Sequence, residues 1–348
     1  MIRPLLAVTF AAPCLLAQTT VQITSSRDST LYESATGNLA GGACTGLFVG
    51  VTDQNNDALR RALVRFDVAA QIPAGAHIVA AELRIQVTRY NTNVDIYGHR
   101  ALADWGEGSS LPSGLGGAGT APTAPDATWI HSRYPSSNWT NPGGDFTAMS
   151  SLTIPAPSTG PATSTSTVAA VLDVQRWLDQ PAQNFGWLLK TNEQQTQSAL
   201  RFNSREASNN PPTLIVTYIT NGQATTWGQG CTVGGAEFRH AWNGAPIGGT
   251  TVQFTQTNGP AGALAANLIA LEYDRVGTAL VPGCNLYLPY GGLIVTHSLV
   301  FLANNGSGST SVTLPAGYPG VMFATQTAAI ASTAAGFVFS NAAVALMQ

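Results

Sequence analysis

Apolar and polar residues alternate along most of this chain with a period of two. In RRALVRFDV (60–68), Ala62, Val64, Phe66 and Val68 share one face, and Arg61, Leu63, Arg65 and Asp67 the other. IVAAELRIQVTRY (78–90) sets Ala81, Leu83, Ile85 and Val87 against Glu82, Arg84 and Gln86. VQIT (21–24), LFVGV (47–51), VDIYGHRA (94–101), FGWLLKT (185–191), ALRFNS (199–204) and TLIVTYI (213–219) read as further strands. Alternation with one wet face predicts antiparallel sheets, and turn signals between short strands predict a sandwich or barrel. One segment departs from this rhythm. VAAVLDVQRWLDQ (168–180) places Val171, Val174 and Trp177 three apart, with Leu178 beside them. That spacing predicts a short amphipathic helix, stopped by Pro181.

The second half repeats the strand pattern with still less charge. TTVQFTQT (250–257), ANLIALEY (266–273), GLIVTHSLVFLA (292–303), TSVTLP (310–315) and VMFATQTAAI (321–330) read as strands, followed by FVFS (337–340) and AAVALM (342–347). The stretch 106–165 is the least regular, rich in Gly, Pro, Ser and Thr, and reads as surface loops around an aromatic core, TWIHSRYPSSNWTNPGGDF (128–146). The expected fold is all-β: two consecutive antiparallel β-sandwiches over 18–220 and 221–348, the first with one short helix.

Composition narrows the function classes. Charged residues make up 9% of the 348, and Lys190 is the only lysine beside fourteen arginines. The net charge is −3, with no basic run, so a nucleic-acid partner is not expected. Residues 1–17, MIRPLLAVTFAAPCLLA, carry an early Arg3, an apolar stretch and a small final residue. They read as a secretory signal cut before Gln18, which places the chain outside the cell or at its surface. The stretch is short for a membrane span, which takes about 20 residues, so no membrane insertion is expected. Export permits a disulfide. Cys231 and Cys284 share one half and each adjoins a glycine, so these two are expected to pair, leaving Cys44 buried or bonded to another chain.

The first half resembles the DNRLRE family, also classed as carbohydrate-binding module family 96. The resemblance is carried, in order, by DSTLYES (28–34), GLFVG (46–50), RRALVRFDV (60–68), QIPAGAHIVAAELRI (71–85), DWGEG (104–108), ATWIH (127–131), NWTNPGGDF (138–146), VQRW (174–177), NFGWLLKT (184–191), LRFNSRE (200–206) and PPTLIVTY (211–218). The Gly-rich inserts at 113–120 and 158–166 depart from the family pattern. The resemblance implies a jelly-roll-like β-sandwich that binds polysaccharide, with alginate-like acidic glycans as ligands in parts of the family, and it implies no catalysis. The second half is similar, more loosely, to a C-terminal domain that recurs in secreted bacterial proteins, through GQGC (228–231), PGCNLYLP (282–289), LPAGYPGVMFATQ (314–326) and FSNA (339–342).

Candidate sugar contacts are Trp129, Tyr134 and Trp139, with Arg133 and His131 nearby. Aromatic faces stack on pyranose C–H groups, and an arginine fork can hold a uronate carboxylate. The competing reading makes Trp129 and Trp139 framework residues that pin long loops, and it is favoured for both. Arg201, Arg205 and Glu206 offer the same choice between holding a ligand carboxylate and pairing internally, and internal pairing is favoured. Asp28, Glu33, Asp67 and Asp173 are considered for a structural calcium. No compact run supplies the six to eight oxygens such an ion takes, so no ligand set is assigned and no cofactor is expected. GLGGAG (114–119) lacks the flanking strand and helix of a dinucleotide site. Asp104 and Glu107 are not adopted as an acid/base pair, and no GxSxG, HExxH or P-loop occurs. The leading expectation is a secreted, non-catalytic polysaccharide-binding protein whose second domain serves attachment or a protein partner. The alternatives are a structural or adhesive surface protein without sugar specificity, and a polysaccharide lyase built on Tyr134, His131 and Arg133.

Overall fold

The computed structural model describes residues 18–53 and 58–348, so the leader 1–17 lies outside the described residues. The chain is all-β and divides into two compact units, one over Thr19–Tyr218 and the other over Ile219–Gln348.

The first unit holds strands β1 (Thr19–Tyr32), β2 (Gly46–Val51), β3 (Leu59–Phe66), β4 (His77–Arg89), β5 (Ile96–Arg100), β6 (His131–Arg133), β7 (Ser137–Asn138), β8 (Leu152–Ile154), β9 (Gly160–Thr163), β10 (Trp187–Lys190), β11 (Leu200–Asn203) and β12 (Thr213–Ile219). Two antiparallel layers face each other. One runs β1–β12–β4–β11–β2, with β9 beside β4, and the other runs β3–β10–β5–β8. β1 belongs to both. Thr19–Thr24 pair with β12, the register shifts between Ser25 and Arg27, and Arg27–Tyr32 pair with β3. A bulge of this kind lets one strand turn the corner between sheets. β2 does the same, pairing with β11 and then β3.

The alternation explains what lies between the layers. Ala62, Val64 and Phe66 of β3 and Ala81, Leu83, Ile85 and Val87 of β4 join one core. Helix α1 (Val68–Gln71) is a single turn, and α2 (Val168–Asp179) is the expected amphipathic helix. Thr167 caps α2 by accepting from the Ala170 amide at 3.0 Å. Its Trp177 ring meets Trp187 of β10 edge-on, with centroids 4.8 Å apart.

The irregular stretch is not a set of free surface loops. The outer faces of β1, β3 and β10 also carry apolar side chains, Leu31, Leu63 and Leu188. Leu63 sits on the face that alternation assigned to water. These residues need cover, and the segment from Trp105 to Trp139 supplies it by burying Trp105, Trp129 and Trp139 against them.

In the second unit the strands are β13 (Gln223–Trp227), β14 (Thr232–Val233), β15 (Ala236–Glu237), β16 (Arg239–Asn243), β17 (Thr251–Thr257), β18 (Leu264–Ala270), β19 (Thr278–Val281), β20 (Cys284–Leu286), β21 (Val295–Phe301), β22 (Gly308–Thr313), β23 (Met322–Ile330) and β24 (Phe337–Leu346). A five-stranded sheet, β13–β24–β23–β18–β21, accompanies a three-stranded one, β16–β17–β22. Cys231 and Cys284 form a disulfide, and Cys44 is free and buried. The interior of this unit is partly polar. His240 Nε2 meets Thr325 Oγ1 at 2.8 Å and its Nδ1 meets Thr327 Oγ1 at 3.0 Å. Gln256 donates to Asn267 Oδ1 at 2.8 Å. All five side chains are buried, and the network satisfies most of their polar groups, leaving Gln256 Oε1 without a hydrogen-bond partner.

Candidate functional site

The aromatic stretch does not assemble a sugar platform. Trp129 and Trp139 are 8% and 5% exposed, so neither ring face is open to a ligand. Arg61 lies 4.8 Å over the Trp129 ring, and Trp139 donates its indole N–H to the Thr128 carbonyl at 2.9 Å. Both are framework residues, because the outer apolar face of the sheet needs their bulk. His131 and Tyr134 are half-buried and meet edge-to-face at 5.1 Å. His131 Nδ1 is engaged by Thr128 Oγ1 at 2.9 Å. Arg133 pairs with Asp104, as does Arg27 at 3.1 Å. Burial alone would raise Asp104, but the hydrogen bond and charge of Arg133, then the charge of Arg27, hold its carboxyl below the usual range.

The LRFNSRE segment, of which only Leu200–Asn203 form β11, divides the two readings of its arginines. Arg205 pairs internally: its Nε lies 2.9 Å from Glu107 Oε1 and 3.0 Å from Glu206 Oε1, and its amide donates to Asp28 Oδ2 at 2.8 Å. Asp28, Glu107 and Glu206 thus converge, each offering an oxygen within 4.8 Å of the others. Burial, then the charge of Glu206, pushes the Asp28 carboxyl well up. The residues weighed for calcium do not gather. Glu33 accepts from the Leu59 amide at 2.7 Å, Asp173 pairs with Arg100 at 2.9 Å, and Asp67 is exposed elsewhere.

Arg201 has a different environment. It stands opposite Phe48 on β2 and opposite Arg89 on β4. Its guanidinium lies across the backbone of Gly46, where a β-carbon would come within 2.3 Å of Cζ. Nη1 donates to Thr88 Oγ1 at 2.8 Å, Nη2 to Thr45 Oγ1 at 3.1 Å, and Nε to the Leu115 carbonyl at 3.3 Å. Two more arginines complete the setting. Arg89 is exposed, and Arg60 is 2% exposed with its guanidinium 5.0 Å over the Tyr32 ring. Burial pulls Arg60 down from the usual guanidinium range, against the opposing pull of Tyr32 and Glu33. Among the described residues none of Arg60, Arg89 and Arg201 forms an ion pair with a carboxylate. Together with Phe48, Asp53 and Leu115 they line a groove of about 440 Å³.

Sequence reasoning weighed Arg201 alone and missed the groove. Its three arginines lie on β3, β4 and β11, far apart in the chain. The available signal was an arginine on each of three strands with no acid at the facing position.

No family model matches the chain, and no curated protein matches it. Among solved structures, a DUF4785 family protein from Legionella pneumophila is 10% identical over 95% of this chain, with a TM-score of 0.18. This chain spans 64% of that protein's length. The Fcho1 Mu homology domain from Danio rerio, solved with a bound Eps15 peptide, is 10% identical over 91% of this chain and 89% of its own, with a TM-score of 0.12.

Proposed function

We propose that the Thr19–Tyr218 unit is a non-catalytic binding module for acidic polysaccharide, carried by an exported protein. One observation carries this reading: Arg89 and Arg201 face each other across β4 and β11 beside Phe48, with no carboxylate paired to either among the described residues. Like charges directly opposite on a sheet destabilise it unless an anion intervenes. A uronate carboxylate fits a guanidinium fork through paired charge-assisted bonds, each worth roughly 1.5–3 kcal/mol. The Cys231–Cys284 disulfide accords with an oxidising compartment, and no helix among the described residues is long and apolar enough to cross a membrane.

The test is affinity electrophoresis of the full chain through gels containing polygalacturonate or a neutral cellulose ether. Retention is expected on the acidic gel alone, and Arg201→Gln and Arg89→Gln should each weaken it about tenfold, near 1.4 kcal/mol. Equal migration of native and variant chains on every gel would remove the groove as a glycan site.

A second reading, adhesion through the Ile219–Gln348 unit, has its own support. Leu293 and Phe301 are each 75% exposed and Leu299 is 61% exposed, while Leu271, 57% exposed, lines one pocket with Leu293. Apolar exposure of this kind marks contact surfaces. Failure of polysaccharide retention would transfer the function to this face.

A further inference from the structure

The Gly-rich insert lies on the groove. Its two ends are fastened: the Ala43 amide donates to the Ser110 carbonyl at 2.9 Å, and Ala40 and Thr120 exchange bonds at 2.8 and 2.9 Å. Between them, Ser113–Gly119 cross the groove wall as a strap. Its own bonds are local turns, Ser113 to Gly116 and Gly116 to Gly119.

The strap meets the body through carbonyl oxygens. Tyr32 Oη donates to the Gly116 carbonyl at 2.8 Å. Arg60 donates to the Gly117 carbonyl at 3.3 and 3.2 Å, and Arg201 to the Leu115 carbonyl at 3.3 Å. The arginine bonds sit at the long end of the N–H···O range. Neutral carbonyls therefore occupy guanidinium donors that a carboxylate would hold about twice as strongly.

Beneath the strap is an aromatic ring. A β-carbon on Gly116 or Gly117 would lie 3.6 or 3.5 Å from the Phe48 ring, so these glycines rest on it at close range. Phe48 is 9% exposed, with Arg201 5.9 Å from its ring on one side. Cys44 is covered by the same residues, and a Gly116 β-carbon would come within 2.2 Å of its Sγ. Gly116 has φ +87°, a conformation that only glycine adopts without strain.

We infer that the strap covers one end of this groove, a subsite in which Phe48 stacks on a pyranose ring while Arg60 and Arg201 take the carboxylate of that residue. This rests on the acidic-glycan reading above. A uronate displaces the Gly117 and Leu115 carbonyls from Arg60 and Arg201, and the strap lifts. A neutral sugar has no charge with which to displace them. The subsite therefore selects for a carboxylate on the sugar that occupies it, and the strap is the selecting element.

The experiment is titration calorimetry of the full chain with tetragalacturonic acid and with cellotetraose, in native, Phe48→Leu and Gly116→Ala forms. Phe48→Leu keeps an apolar side chain but removes the ring face. It should weaken tetragalacturonic acid about tenfold, which is about 1.4 kcal/mol. Gly116→Ala unseats the strap and should tighten it by a similar factor. Maleimide labelling of Cys44, read by peptide mass spectrometry so that Cys14 does not contribute, should be slow in the native chain, faster with tetragalacturonic acid and unchanged with cellotetraose. Binding of tetragalacturonic acid with equal affinity by native and Phe48→Leu chains, and no change in Cys44 labelling, would overturn the covered subsite and leave the open groove standing. No binding by any form would overturn both. Unchanged Cys44 labelling in a native chain that binds tetragalacturonic acid would overturn the covered subsite even if a variant fails to fold.

Discussion

Trp187 donates its indole N–H to Asp173 Oδ2 at 2.8 Å, which ties β10 to α2 through the middle of the first unit. Asp173 also pairs with Arg100 at 2.9 Å, and burial raises its carboxyl despite the bonds that Ser151 and Trp187 donate to it. Asp173→Ala would leave a buried indole N–H and a half-buried guanidinium without their acceptor. We expect a loss of roughly 2–4 kcal/mol in denaturant unfolding, with Asp173→Asn milder because an amide oxygen still accepts from Trp187. An Asp173→Ala chain as stable as the native one would show that the tie contributes nothing.

Trp129 and Trp139 make a contrasting pair with Arg201. Truncating either tryptophan to alanine empties a portion of the outer apolar cluster and should cost about 3–5 kcal/mol. Retention on polygalacturonate by the protein that remains folded should be unchanged. A folded Trp129→Ala chain that loses retention would return the binding site to the aromatic stretch.

Acid should weaken the second unit through His240. Burial holds its pKa down at about 3, while an unfolded histidine titrates near 6.5. Between those values the unfolded chain binds the proton and the native one does not. Stability present above pH 6.5 is therefore lost as the pH falls toward 3, at up to about 1.4 kcal/mol per pH unit. Thermal unfolding from pH 7 to pH 4 should show this slope for the native chain and lose it in His240→Gln. A slope that persists in the variant would assign it to other groups.

Asp28 carries the opposite sign. Its native pKa lies well above the unfolded value of 3.8, chiefly through burial and then Glu206, so the native state binds the extra proton. Its ionisation therefore costs stability at neutral pH, and that cost is relieved as the pH falls through the native pKa toward 3.8. Asp28→Asn should raise the melting temperature at pH 7 and confer a smaller gain at pH 4.5. Equal effects at both values would mean that charge is not what the substitution changes.

The Cys231–Cys284 bond closes a loop with a sequence separation of 53, for which chain entropy gives about 4 kcal/mol. Reduction, or the double substitution to serine, should lower the stability of the second unit by that order. The first unit, whose Cys44 forms no disulfide, should melt as before under reducing conditions.

The strands of the first unit were readable because their apolar residues alternate against arginines and acids. β3 and β4 emerge within a residue or two of the segments that pattern marked. Where alternation failed, another force decides. FVFS and AAVALM form one strand, β24, because Ser340 at the end of the first and Asn341 between them are buried and hydrogen-bonded rather than placed in a turn. β13 and β16 went unread because QATTW and RHAWN carry too few apolar residues to show a period. At the site, the sequence contains the arginines and the Gly-rich insert but not their meeting. Which guanidinium finds a carboxylate depends on the fold: Arg205 lies in the turn just beyond β11, beside Glu107, while register sets Arg201 opposite Arg89.

The pairing of Thr19 with Tyr218 also sets how the first unit bears load. Its entry and exit strands lie antiparallel and side by side, so tension applied at the two ends acts across their ladder at one end. The bonds between β1 and β12 would then break in succession, as in a zipper, instead of resisting together in shear. The register shift after Ser25 marks where peeling meets the β3 pairing and the second layer begins to carry the force. Pulled at these ends, the unit would yield gradually, one pair of β1–β12 bonds after another.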